Sequence, residues 1–153
     1  MKRWIHSTGT AVVLGLAVGQ AWAHDEGHGP KVTDASKFGG ALASVIDAAE
    51  TKLGPKAKAL YRAELVRLED GTVEVHLFDL KMKPVKPEGL MQEAVGYLET
   101  VSKGKSTRVP FSLKLVKGYF LGKPAAPSRK PYNIDVVFKV KSLSLMAAFD
   151  NLD

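Results

Sequence analysis

Three runs in this chain alternate apolar and polar residues with a period of two, and that pattern restricts the fold more than anything else in the sequence. In TVEVHLFDL (72–80), Val73, Val75 and Leu77 fall on one side and Glu74, His76 and Phe78 on the other. Val109, Phe111, Leu113 and Leu115 form a second series, and Tyr132, Ile134, Val136, Phe138 and Val140 a third. Successive side chains of a strand point to opposite faces, so this period predicts half-buried β-strands. Turn chemistry separates the runs. Asp70-Gly71 lies between ALYRAELVRL and TVEVHLFDL, where glycine accepts the positive φ of a tight hairpin turn. Lys141-Ser142 forms a turn before a last strand through Leu143, Leu145, Ala147 and Phe149, and GYFLG (118–122) reads as a short strand. KMKPVKPEG (81–89) and KPAAPSRKP (123–131) read as loops, because proline supplies no backbone donor. Two stretches stay open. Over 41–52, Leu42, Val45, Ile46, Ala49 and Leu53 fall at helical spacing, yet ALASVI also suits a strand; 90–101 is a helix or a strand through Val95 and Tyr97. Six or seven short strands, each with one apolar face, predict an all-β fold and an antiparallel β-sandwich.

The N-terminus gives an address. Lys2 and Arg3 precede the apolar run AVVLGLAV (11–18), and Ala21-Trp22-Ala23 matches the small-x-small cleavage pattern of a secretory signal peptide. The run is shorter than the roughly 20 residues of a spanning helix, so no transmembrane segment is expected after cleavage. With no cysteine in the chain, neither a disulfide nor a lipid anchor is expected. The expected organisation is a signal peptide at 1–23, a flexible His/Gly-containing arm at 24–40 and a β-sandwich domain at 41–153. The expected location is the periplasm, as a secreted protein. Removing Lys2 and Arg3 from the 22 basic residues leaves 20 against 16 acidic ones, a net charge of +4. No dense basic patch with interleaved aromatics is present, so nucleic-acid binding is not expected.

Chemistry is concentrated in AWAHDEGHGPK (21–31). Cleavage after Ala23 makes His24 the new N-terminus, and its amine and imidazole together suit a divalent ion, Cu(II) above all. His28 adds a nitrogen, and Asp25 or Glu26 an oxygen. Amine and imidazole must both lose protons to bind, so affinity should fall below neutral pH. A solvated tether is the competing account of the same residues. His76, the remaining histidine of the mature chain, is a further candidate ligand if the arm folds back across its strand. Met82 and Met91 suit Cu(I), although packing explains methionine as well. Signals of catalysis are thin in the sequence. Ser102-Lys103-Gly104-Lys105 has the spacing of a serine acyl enzyme without its partner motifs. Glu64, Glu69, Asp70 and Glu74 surround one hairpin, as acids that solvate a sheet face commonly do. No enzyme is expected.

The order of a His/Gly leader, GPKVTDASKFGG, AELVRLEDGTVEVHLFDLKMKPV and a terminal AFDNLD resembles the small periplasmic immunoglobulin-like β-sandwich modules found beside heavy-metal efflux adaptors and copper-handling proteins. The resemblance implies an immunoglobulin-like sandwich of about seven strands and a metal-linked envelope function, with Cu(II) or Zn(II) as ligand. Two functions are therefore expected as rivals. One is a non-enzymatic metal-binding protein that carries copper or assists its export. The other is an envelope interaction or structural module that presents a sheet face or edge to a protein partner.

Overall fold

A computed structural model describes residues 29–91 and 93–153. Among them are eight strands: β1 (Ala41–Asp47), β2 (Tyr61–Arg67), β3 (Val73–Phe78), β4 (Glu93–Ser102), β5 (Lys105–Val116), β6 (Tyr119–Gly122), β7 (Tyr132–Val140) and β8 (Leu143–Leu152). All pairings are antiparallel, and the strands close into a barrel in the order β1-β2-β3-β6-β5-β4-β7-β8. The expected immunoglobulin-like sandwich of seven strands is thus corrected to a closed barrel of eight. Alternation shows that each strand buries one face, but it does not show whether that face meets a second sheet or the far wall of the same one. Eight strands enclose a space that side chains can fill. Val45, Leu65, Val75, Phe120, Ile134, Phe138 and Phe149 fill it here, each no more than 1 % exposed.

The outward face carries Arg62, Glu74, Glu99, Arg108, Lys114 and Lys139. Apolar inside and charged outside is the reverse of the pattern of a barrel that crosses a bilayer. Among the described residues no helix is long and apolar enough to cross a membrane.

Both undecided stretches contain strands. β1 runs from Ala41 to Asp47 and is followed by 3₁₀ turns from Ala48 to Lys56. Its alternation is obscure because Ser44 and Ile46 point outward and are still buried, at 5 % and 0 % exposure. β4 holds the other stretch. The apolar residues that suggest it, Val95 and Tyr97, face out, while Ala94, Gly96, Leu98 and Thr100 face in. At position 96 the interior has no room for a side chain. A Cβ on Gly96 would overlap the ring of Phe111, its direct partner on β5, and that ring covers the gap the glycine leaves. At the C-terminus a bulge sets the register. Tyr132 pairs with Leu152 but Ile134 with Phe149, so β8 carries one extra residue. Asn151 absorbs it at φ +53°, held by its N–H donating to Asn133 Oδ1, and both Phe149 and Leu152 reach the core.

The expected hairpin turns are present. Gly71 has φ +81° between β2 and β3, and Lys141 has φ +53° between β7 and β8. Residues 123–131 form no strand and cross one mouth of the barrel, where Ser128 and Thr100 hydroxyls approach at 3.4 Å.

Candidate functional site

Three places on the outer surface carry chemistry. The first lies where the described part of the arm, residues 29–40, is laid over β1, β2 and β3. Glu64 sits on the outward side of β2, between the inward Ala63 and Leu65. Its carboxylate accepts three backbone N–H groups, from Lys37, Phe38 and Gly40, each at 2.8 Å. The glutamate is 0 % exposed. A fully dry carboxylate is tolerated because several charge-assisted bonds replace its water. Gly40 allows the close approach, since a Cβ there would overlap the Leu65 carbonyl. A second tie runs through Arg62, whose guanidinium bonds Asp34 at 3.2 Å and the Ser44 hydroxyl at 2.9 Å. That hydroxyl donates in turn to the Pro30 carbonyl. Glu64 is therefore not a solvating acid as the sequence suggests, and no local pattern marks it. Its partners lie two dozen or more residues away.

His76 belongs to the same surface. Its ring lies 4.3 Å from that of Phe38 in the arm and 4.9 Å from that of Tyr119 on β6, and its Nε2 is 3.0 Å from Glu74 Oε2. The His76 ring thus touches an aromatic ring from the arm and another from β6, and its Nε2 meets the Glu74 carboxylate. Among the described residues no group of three or more His, Asp or Glu side chains is arranged to hold a metal. His24, Asp25, Glu26 and His28 lie outside the described residues, so the ligand set expected from the sequence is not brought together or separated here. Met91 and Met82 are buried, at 1 % and 9 % exposure, and Met91 packs in the barrel core.

The second place is a cleft of about 670 Å³ beside the seam of β1 and β8. These strands pair only at Val45–Ala147, Ile46–Met146 and Asp47–Leu145. Gly29 to Val32 line the cleft together with Leu42, Ser44, Asp150 and Asn151. Gly29 is pressed so closely on β1 that a Cβ would stand 2.6 Å from Ile46 Cγ2.

The third place is the β4–β5 hairpin, which outruns its neighbours. β5 pairs with β4 along Lys105–Leu113 but with β6 only along Leu113–Val116. Lys105 to Pro110 are all exposed. Arg108 bonds Asp135 at 3.0 Å and stands 4.1 Å over the Tyr97 ring. The Ser-x-x-Lys spacing is explained by the hairpin. Lys103 and Gly104 have φ +49° and +74°, and they are the two central residues of its tight turn. Pro110 is the sequence signal for this open strand, because a proline inside a strand belongs at an edge.

Among the described residues no buried side-chain polar atom lacks a partner. Comparison of the chain with known protein families, with curated proteins and with solved structures finds no match.

Proposed function

We propose that this protein is a non-enzymatic interaction module of the cell envelope, in which a filled barrel serves as a rigid mount for a strand edge that receives a protein partner. The open side of β5 carries this reading, because among the described residues its exposed stretch pairs with β4 alone. Exposed edges invite pairing with other chains. The test is photo-crosslinking in the envelope of the source cell, with the reactive group at Ser106 and, as control, at Ser144 on β8. One recurrent adduct from Ser106 and none from Ser144 is the expected result. Scattered adducts, or the same adducts from both sites, refute the reading.

A second reading is capture of copper or zinc by His24, Asp25, Glu26 and His28. It is favoured by the seating of Gly29, the residue after His28, against Ser44 and Ile46. The ligand set is the one the sequence offers, the His24 amine and imidazole with His28 and an oxygen of Asp25 or Glu26. Titration of correctly processed protein with Cu(II) at about pH 7.5, where the imidazole is largely deprotonated and the ion can displace the proton the amine still holds, should show tighter binding than the His24→Ala, His28→Ala double variant. Equal affinity rejects metal capture.

A further inference from the structure

We infer that the open edge of β5 takes up an extended segment of alternating acidic and apolar residues as an added strand; this rests on the interaction reading and names the partner's chemistry.

The hydrogen-bonding phase of the edge follows from its two turns. Ser102 and Lys105 flank the two-residue turn at Lys103-Gly104, so they exchange both backbone bonds. Lys105, Thr107 and Val109 therefore direct N–H and C=O towards β4. Ser106, Arg108 and Pro110 direct theirs away from it. The second turn, at Lys117-Gly118, gives the same phase, because Val116 and Tyr119 flank it as a bonded pair. Pro110 thus falls at a position whose donor would face outward, where proline costs no ladder bond. The edge offers full donor and acceptor pairs at Ser106 and Arg108 and an acceptor alone at Pro110.

Charge selects the occupant. No Asp or Glu occurs between Glu99 and Asp135, while Lys103, Lys105, Arg108, Lys114 and Lys117 lie along the hairpin and its following turn. Two copies joined edge to edge would set these cations against each other and would bring together two strands that each lack the Pro110 donor. An acidic strand meets neither obstacle. The faces differ too. Arg108 and Lys114 line the outward face, and the Arg108 side chain, although bonded to Asp135, is 46 % exposed and has spare donors for a second carboxylate. Thr107, Val109 and Phe111 line the other face, with Val109 40 % exposed. An incoming strand therefore gains most with acids on one side and apolar residues on the other.

The experiment uses the processed protein, labelled with ¹⁵N, and the blocked peptide (Glu-Val)₄, with (Lys-Val)₄ as control. The (Glu-Val)₄ peptide should bind at least about tenfold more tightly, and less so as salt rises. It should shift the Ser106 and Arg108 amides and protect them from exchange. Arg108→Pro removes an outward donor and spares the β4 ladder, so it should abolish that protection while the remaining spectrum stays folded. Arg108→Gln/Lys114→Glu, which removes both cations of the outward face, should erase the preference for the acidic peptide. Equal binding of the two peptides, or shifts centred away from β5, overturns the inference. If that happens while the Ser106 crosslink still captures one partner, the interaction reading stands with a partner of other chemistry; loss of both removes both.

Discussion

At the scale of single residues, Glu64 shows how a side chain on the outer face of a sheet becomes part of the interior. Its two oxygens accept three amides, and no water is needed. Glu64→Gln should destabilise the fold by about 1–3 kcal/mol, since an amide NH₂ must then face a backbone N–H. Hydrogen exchange should also show lost protection at Lys37, Phe38 and Gly40, and unchanged protection there would contradict the clamp. Two other carboxylates act at turns. The Thr72 N–H, then the Thr72 hydroxyl, holds Asp70 below its ordinary 3.8, and the Lys83 N–H does the same for Asp79. Both groups are more acidic folded than unfolded. Their support is therefore complete above 3.8 and fades as pH falls through the lower folded values. Carboxyl titration by NMR should give midpoints below 3.8 for both, with the two turns loosening only in that acid range. His76 was legible as a residue on the face opposite Val73, Val75 and Leu77. Its neighbours were not, because Phe38 and Tyr119 reach it from separate parts of the chain.

At the scale of elements, strand β4 shows where pattern reading stops. β3, β5 and β7 announce themselves because large apolar residues occupy their inward positions. β4 does not, because Gly96 and Ala94 lie inside and Tyr97 outside. The cause is the Phe111 ring opposite Gly96, a cross-strand demand that the local sequence of β4 does not contain. Gly96→Ala should cost about 1–3 kcal/mol through overpacking. Adding Phe111→Leu should recover part of that loss, so chemical denaturation of the double variant should show less than the sum of the single effects. A strictly additive result would mean that ring and glycine are not coupled. The stretch at 41–52 is obscure for the opposite reason. β1 is covered on both sides, by the core and by the arm, so no polar face remains to mark its period.

At the scale of the whole molecule, the barrel consists of two sheets joined by two short seams. β1-β2-β3 forms one and β6-β5-β4-β7-β8 the other, and each seam, β1–β8 and β3–β6, has three residue pairs. The expectation of two packed sheets therefore had a physical basis, but closure depends on partners such as Val45 and Ala147 that lie about a hundred residues apart. No period within a strand encodes that choice. Amides of β4, bonded along β5 and β7, should exchange last, and those at the two seams earlier. His76→Ala should speed exchange in β6 further, by removing the ring that links Phe38 to Tyr119 across the β3–β6 seam. Uniform protection around the barrel would contradict this division. The Glu64 clamp also sets an order of assembly. Its three donors precede it by 24 to 27 residues, so a chain made from its N-terminus exposes the strap before the carboxylate that will grip it has been synthesised. Seating must wait until β2 has joined the sheet, and a protease that cuts within 29–40 would distinguish newborn, incomplete chains from finished ones.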